Sequence, residues 1–272
     1  MKILFVGDIF GRSGREALEE KLPTLKEKLN PDVTIVNGEN AANGKGITGK
    51  ICKEFYELGV DVITTGNHVW DQREIISYIN KDEKLLRPIN FPQTAPGNGQ
   101  NIHTLPDGRK ILVINAMARL FMDAMDDPFA ILNNITQTYR LGDNIDAIFV
   151  DFHGEATSEK MSLSHYCDGK ISALIGTHTH IPTADHHIME KGTAYMSDAG
   201  MTGDYDSVIG VRKDIAYHRF VHKTPHPERA IPAKGEATLC GALITTDDKT
   251  GLANTIEPIR IGGMLSQVLP DN

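Results

Sequence analysis

The chain has 272 residues, 40% of them hydrophobic and 24% charged, which is the composition of an ordinary globular protein with a substantial buried core. Its formal net charge of −8 disfavours nonspecific attraction to the phosphates of long nucleic acid, so we expect no duplex nucleic acid as a partner. No window approaches the roughly 20 apolar residues of a membrane span, and the apolar run at the amino terminus is too short for a signal peptide, so we expect a cytoplasmic protein without membrane contact.

The first half of the chain alternates predicted strands with predicted helices. Short β-rich runs at 2–6, 33–37 and 60–64 each end in a polar loop. Stretches 14–30, 48–58 and 71–80 carry the features of helices, and the first has leucines at spacings of four, three and four, at Leu18, Leu22, Leu25 and Leu29. This alternation favours a largely parallel sheet covered by helices.

The second half continues the pattern of a strand followed by a polar loop. Strands are predicted at 147–150 and 172–175, and the segments 238–246 and 252–261 are typical of a β-hairpin. The stretch 88–108 is rich in proline and glycine and is predicted to be a loop, not a linker between domains. We therefore expect a single domain over residues 1–272.

The most informative feature is the set of side chains that follow the predicted strands. Each of five strands ends in a loop that holds residues able to bind a metal ion, and these residues are Asp8, Glu39, Asn40, Asn67, His68, His153, His178 and His180. Ligand sites of parallel α/β sheets form outside the carboxyl ends of the strands, so adjacent strands would bring the loops to one rim. A set of Asp, Glu, Asn and His without a thiolate suits iron, manganese, zinc or similar divalent ions.

Most of these residues, taken singly, also have a structural explanation. Asp8 could cap the following helix, Asn67 could occupy a tight turn and His153 could be a hydrogen-bonded core histidine. The pair His178 and His180 is harder to explain in this way, because two residues apart on an extended segment face the same side. Their joint position at strand ends favours a metal site.

Excluding His68, seven ligands are too many for one ion, which favours two ions that share a bridging carboxylate. Such a pair clamps the attacking and leaving oxygens of an in-line displacement at phosphorus and lowers the pKa of a bridging water, giving hydroxide near neutral pH. His68 follows Asn67 directly, and neighbouring loop residues rarely face the same ion. His68 is therefore free to protonate the leaving oxygen of a small phosphate ester.

Six motifs spread over nearly the whole chain resemble one known family. They are GDIFGRSGR at 7–15, NGENAANGKGIT at 37–48, TGNHVWD at 65–71, DFHGEATSEK at 151–160, GTHTHIPTAD at 176–185 and SDAGMTGDYDSVIG at 197–210. This set resembles the YmdB-like bacterial subfamily of the calcineurin-like metallophosphoesterases. The wider superfamily has a histidine where Phe10 stands and an aspartate where Glu39 stands, and the subfamily resemblance implies that Asn40 replaces the absent histidine.

The resemblance implies a fold, a metal centre and an activity. The implied fold is an α/β metallophosphoesterase sandwich of two mixed β-sheets flanked by α-helices. The first metal would take Asp8, Glu39, Asn40 and His180, and the second Glu39, Asn67, His153 and His178, with Glu39 bridging and His68 as the acid. The implied cofactors are two divalent ions, iron or manganese first and zinc or magnesium next, and the implied activity is that of a phosphodiesterase on 2′,3′-cyclic nucleotides.

Two other functions compete with this hypothesis. A dinucleotide-dependent oxidoreductase is disfavoured because Gly7, Gly11 and Gly14 lack the GxGxxG spacing, and because Asp8 would repel a pyrophosphate. A regulatory protein that senses a nucleotide through the metal cleft without turnover is the second alternative, and His68 beside the site favours catalysis over it.

A few further residues bear on the environment and assembly of the chain. The three cysteines are far apart and odd in number, which indicates buried thiols of a reducing compartment; they are Cys52, Cys167 and Cys240. The sequence does not fix the oligomeric state, although Met122 and Met125, taken as exposed, hint at contact between copies in a homo-oligomer.

Overall fold

The protein is built around two six-stranded mixed β-sheets, in a computed structural model that describes residues 1–271. Residue 272, the last of the predicted domain, lies outside this range. The first sheet contains β1 (Lys2–Val6), β2 (Val33–Asn37), β3 (Val62–Thr64), β10 (Gly203–Asp204), β11 (Ala237–Thr246) and β12 (Ala253–Ile261). The second contains β4 (Gln100–Thr104), β5 (Lys110–Met117), β6 (Ala147–His153), β7 (Ala173–Thr177), β8 (His187–Ile188) and β9 (Ala194–Met196).

The parallel strands occupy one side of the first sheet and the centre of the second. In the first, β1, β2 and β3 run parallel, and β11 pairs antiparallel with β1 and β12. In the second, β5, β6, β7 and β9 run parallel, with β4 and β8 antiparallel at the edges. Helices connect the parallel strands: α1 (Gly11–Leu29) joins β1 to β2, α2 (Gly49–Glu57) joins β2 to β3, α4 (Pro128–Thr138) joins β5 to β6, and α5 (Thr157–Cys167) joins β6 to β7. The short α3 (Ile75–Tyr78) lies in the connection from the first sheet to the second, and α6 (Lys213–His222) follows β10.

The core lies between the sheets and continues under the helices. In β1, Ile3 and Phe5 belong to the cluster between the sheets, while Leu4 and Val6 belong to the cluster under α1 and α2. Both faces of the strand are buried, which explains its uninterrupted apolar sequence. The outer face of the second sheet packs against α4 and α5 through a third cluster. The result is a four-layered sandwich of helices, two sheets and helices.

The predicted fold class is confirmed, but the arrangement of the strands differs from the single rim expected of adjacent strands. The strands that precede Asp8, Glu39 and Asn67 lie in the first sheet, and those that lead to His153 and His178 lie in the second. β6 also extends three residues beyond the predicted strand, so that His153 is its last residue and not part of a loop.

Two predicted elements are wrong in part. The stretch 88–108 contains β4, an edge strand whose sequence QNIHT lacks a regular alternation because both faces are partly exposed. The predicted helix at 71–80 is reduced to α3 and a 3-10 turn, Ile79–Lys81. Its first residues stay in turns, because the side chain of Asp71 bonds His68 and that of Gln72 donates to the Lys45 carbonyl.

The remaining expectations concern single side chains and membrane contact. All three cysteines are buried and have free thiols. Met122 and Met125 are half-buried and not exposed, and Met122 packs against the third core cluster, which removes the basis for the contact inferred from them. No helix within residues 1–271 combines the length and hydropathy needed to span a bilayer.

The contact between Phe5 of β1 and Phe149 of β6 gives a test of the packing between the sheets. Their ring centroids are 5.0 Å apart, and both side chains are fully buried. We expect Phe149→Ala to lower the free energy of unfolding by about 3–5 kcal/mol, since it removes buried area and leaves a cavity. The matched control is Phe220→Ala, at a position 70% exposed, where a change below about 0.5 kcal/mol is expected in urea denaturation. Equal losses in the two variants would contradict this packing.

Candidate functional site

The predicted site residues meet at the carboxyl ends of the parallel strands of both sheets. Asp8 follows β1, Glu39 and Asn40 follow β2, and Asn67 follows β3. On the opposite sheet His153 ends β6 and His178 directly follows β7. The site therefore spans the cleft between the two sheets, with residues of both lining it.

Glu39 stands at the centre of this set. Its Oε2 is 3.2 Å from Nε2 of His153 and accepts from the backbone N–H of His68 at 3.3 Å. Its Oε1 accepts from Nδ2 of Asn40 at 2.9 Å. The two oxygens thus face different halves of the site. There is no space for a side chain at Gly66, because a Cβ there would overlap both Glu39 and His153.

One half of the site groups His153, Asn67, His178 and Glu39. Nε2 of His153 is 2.9 Å from Oδ1 of Asn67 and 3.1 Å from Nδ1 of His178. Glu39, His153 and His178 also form a cluster whose ligand atoms all lie within 4.8 Å of one another.

Hydrogen bonds behind His153 fix which of its nitrogens carries the proton. The Thr177 hydroxyl donates to Oδ1 of Asp151 at 2.6 Å, so it must accept from Nδ1–H of His153, 2.9 Å away. Nε2 then carries a lone pair. This lone pair faces two oxygen acceptors, Oε2 of Glu39 and Oδ1 of Asn67, with no proton between them. Such a convergence of lone pairs is unfavourable by itself and fits a bound cation.

The other half of the site groups Asp8, Asn40 and His180. Nε2 of His180 is 3.2 Å from Nδ2 of Asn40, and Nδ1–H of His180 donates to the carbonyl of Ile209 at 2.8 Å. Oδ2 of Asp8 accepts from the backbone N–H of His178 at 2.9 Å, whereas its buried Oδ1 has no hydrogen-bond partner among residues 1–271. An unpaired buried carboxylate oxygen is costly without a cation, so this half also fits a metal ion.

Burial disfavours the charged forms of these groups, so it raises the pKa values of the carboxyl groups and lowers those of the imidazoles. Desolvation, followed by repulsion from Asp198, raises the pKa of Asp8, and desolvation followed by repulsion from Asp8 raises that of Glu39. Desolvation lowers the pKa of His153 and brings that of His178 to about 4. Neutral imidazoles are the form that binds metals, and nearby cations would stabilise the two carboxylates.

His68 occupies the exposed side of the site. Its side chain is 27% exposed, and its Nδ1 lies 2.9 Å from Oδ2 of Asp71. Burial lowers the pKa of His68, and the hydrogen bond to Asp71 opposes that shift. The bond to Asp71 leaves Nε2 as the nitrogen that can meet a ligand.

Phe10, which stands where the wider superfamily has a histidine, packs against the site without offering a ligand atom. Its ring meets that of His180 edge-on, with centroids 5.3 Å apart. The glycines of the weak dinucleotide pattern also have a packing role, since a Cβ at Gly7 or Gly14 would overlap the carbonyl of Gly200 or Thr202. Both observations agree with a site formed by Asp8 and its neighbours and disfavour a dinucleotide loop.

The buried polar residues behind the site, Asp151 above all, were not predicted from the sequence. Asp151 accepts hydrogen bonds from Asn37 and Thr64 of the first sheet and from Thr177 of the second. Burial raises the pKa of Asp151 to about 7, although these bonds oppose the shift. Its signal in the sequence is a single acid inside the apolar run of β6.

His178 and His180 adopt left-handed backbone conformations, with φ of 98° and 68°. Such conformations cost about 1–3 kcal/mol each for residues other than glycine and cluster at functional sites. Nε2 of His178 lies 3.3 Å from the carboxylate of Glu155, which turns Nδ1 toward His153. Neither the strain nor the Glu155 contact is predictable from the sequence pattern.

Comparisons with known proteins agree with this architecture. The family model described as YmdB-like protein matches residues 4–259. A protein of Bacillus subtilis (strain 168) named 2′,3′-cyclic-nucleotide 2′-phosphodiesterase is 46% identical over 261 residues, which cover 96% of this chain and 97% of the relative.

Two crystal structures share the fold over almost their full length. One, of a hypothetical protein from Thermus thermophilus, has a TM-score of 0.89 and 37% identity, with 97% of this chain and 100% of that chain covered. The other, of a novel phosphatase from Mycoplasma pneumoniae, has a TM-score of 0.88 and 33% identity, with coverages of 96% and 93%. On the family-model match over residues 4–259 and the 46% identity to the Bacillus subtilis protein, the chain belongs to the YmdB-like family.

Proposed function

We propose that this protein is a phosphodiesterase that depends on two divalent cations and hydrolyses 2′,3′-cyclic nucleotides. The observation that carries the proposal is the position of Glu39, whose Oε1 faces Asn40 and whose Oε2 faces His153. One carboxylate that serves two groups of donors is the arrangement expected of a bridging ligand. The name of the Bacillus subtilis relative supports the choice of substrate class.

Two sets of residues would hold the ions. We assign Asp8, Glu39, Asn40 and His180 to one ion, and Glu39, Asn67, His153 and His178 to the other. The unpaired Oδ1 of Asp8 and the facing lone pairs of His153, Asn67 and Glu39 support these assignments. Oxygen and imidazole donors suit iron or manganese, with zinc and magnesium as alternatives.

Ions bound there would activate water as a nucleophile near neutral pH and neutralise negative charge on the phosphate. The protein's own contribution to bond cleavage is a proton held at Nε2 of His68. Because Nδ1–H donates to the Asp71 carboxylate, a proton at Nε2 makes the ring an imidazolium, which Asp71 stabilises. As the bond between phosphorus and the ribose oxygen breaks, this proton passes to the departing oxygen, and the product is a phosphomonoester. Asp71 holds Nδ1 of the same ring and so keeps Nε2 directed away from it.

The substrate proposal is tested by turnover. The purified protein should open 2′,3′-cyclic AMP and cleave bis-p-nitrophenyl phosphate, lose this activity after treatment with a chelator and regain it with Mn²⁺. If the 2′ ester bond is cleaved, the product is the 3′-monophosphate, which chromatography distinguishes from the 2′ isomer. No product above a blank containing Mn²⁺ alone would favour a sensor of nucleotides over an enzyme.

The bridging role of Glu39 is tested by counting metal ions. We expect Glu39→Gln, which keeps the shape of the side chain and removes its charge, to retain at most one ion per chain in elemental analysis. Turnover should fall by more than the loss of about 10- to 100-fold that is typical when a residue that bonds a metal ligand, but not the metal, is replaced. Glu190→Gln, at an exposed position, is the matched control and should bind metals as the wild type does. Two ions in both variants would refute the bridge.

The role of His68 is tested by separating turnover from metal content. His68→Ala should keep both ions, because no ligand is removed, and should lose about 10²- to 10⁴-fold in kcat, because the leaving oxygen lacks its proton donor. His103→Ala is the control. His103 lies on the edge strand β4 opposite the start of β5, and its Nε2 is 3.6 Å from Oδ1 of Asp61. The site lies at the carboxyl ends of the parallel strands, so His103 is at the other end of the sheet. A wild-type rate in His68→Ala would show that another group supplies the proton.

A further inference from the structure

A buried ion pair lies directly behind the strained segment that carries His178 and His180. Lys160 of α5 and Asp198 are each 1% exposed, and Nζ of Lys160 is 3.1 Å from Oδ2 of Asp198. Burial of a charged pair is weak evidence for stability, because desolvation offsets most of the attraction. Its position beside the candidate ligands therefore calls for a specific explanation.

The two charged side chains hold the same peptide segment from opposite ends. Nζ of Lys160 donates to the carbonyl of Thr177 at 2.8 Å, immediately before His178. Oδ2 of Asp198 accepts from the backbone N–H of Thr179 at 2.9 Å, immediately after it. The peptide groups on both sides of His178 are thus fixed by one ion pair, and the residue between them has a φ of 98°.

Further contacts prevent the pair from shifting. Oδ1 of Asp198 accepts from the N–H of Gly200 at 2.9 Å, and the backbone of Asp198 is bonded to Thr183 through both its N–H and its carbonyl. The stem of Lys160 passes over Gly176, where an added Cβ would lie 2.9 Å from Cδ of the lysine. These contacts hold the ion pair in place independently of the imidazoles.

The pair also has a reason to be charged. Asp8 and Asp198 repel each other, and Lys160 attracts both. An apolar pair of the same size would leave the buried carbonyl of Thr177 and the N–H of Thr179 without these partners. Hydrogen bonds to charged groups are the stronger ones, as a strained backbone requires.

We propose that Lys160 and Asp198 are positioning residues, which clamp the peptide groups on either side of His178 so that His178 and His180 present their nitrogens to the metal centre. This inference rests on the proposed function, since it concerns the affinity of that centre. It adds two residues that touch neither the ions nor the substrate and act only through the backbone of the ligand segment.

The test uses the whole protein and measures metal binding directly. Lys160→Met keeps the length of the side chain and removes its ammonium group, and we expect its affinity for Mn²⁺, measured by competition with a chromophoric chelator, to fall about 10- to 100-fold. In the Co²⁺-loaded variant the visible absorption bands should shift, because the imidazoles are no longer held in place. Lys26→Met is the matched control: Lys26 also donates to a backbone carbonyl, that of Gly59 at 2.6 Å, but in α1. Its Mn²⁺ affinity and Co²⁺ spectrum should equal those of the wild type.

A second variant covers the case in which Lys160→Met leaves Asp198 charged and unpaired and does not fold. The double variant Lys160→Met with Asp198→Asn contains no unpaired charge and should show the same loss of affinity, because the carbonyl of Thr177 still lacks its donor. A folded variant of either kind that binds Mn²⁺ within twofold of the wild type, with an unchanged Co²⁺ spectrum, overturns the positioning role while the proposed function stands. A wild-type protein that binds no divalent ion overturns both.

Discussion

The buried carboxylate of Asp151 is the interaction on which the arrangement of the two sheets at the site depends. It accepts hydrogen bonds from Asn37 and Thr64 of the first sheet and from Thr177 of the second. A fully buried carboxylate is tolerated only with such partners, so the sheets cannot separate or slide here without leaving it unpaired. Because Thr177 also bonds His153, the same carboxylate determines how the sheets meet and which nitrogen of that imidazole faces the cleft.

Apolar packing and polar contacts have different roles between the sheets. Phe5 and Phe149 lie in a core cluster that supplies cohesion, but apolar contact is non-directional and would tolerate small displacements. The polar contacts at the rim tolerate much less, since hydrogen bonds weaken steeply with distance and angle. A site whose donors come from two separate sheets needs this second kind of contact, because an error in either sheet would displace half of the set.

The grouping of the candidate ligands could be predicted from the sequence far better than the residues that support them. Asp8 and Glu39 could be found because each lies in the short loop after an apolar strand, where ligand sites of parallel folds generally form. Lys160 and Asp198 lie within two of the quoted motifs, but their contact could not be predicted, since it joins residues 38 positions apart and depends on burial that no local pattern encodes. The same limit applies to β4, whose sequence carries no alternation and whose existence depends on pairing with β5.

The left-handed backbone at His178 and His180 has a consequence for how this segment can vary. Glycine would adopt these conformations without strain, yet it has no imidazole to offer. At these two positions the residue that best suits the chain conformation and the residue that best suits the chemistry are different. Substitutions that relax the turn are therefore of the kind that gain thermal robustness at the expense of activity, and a search for more stable forms of this protein has to leave the turn strained.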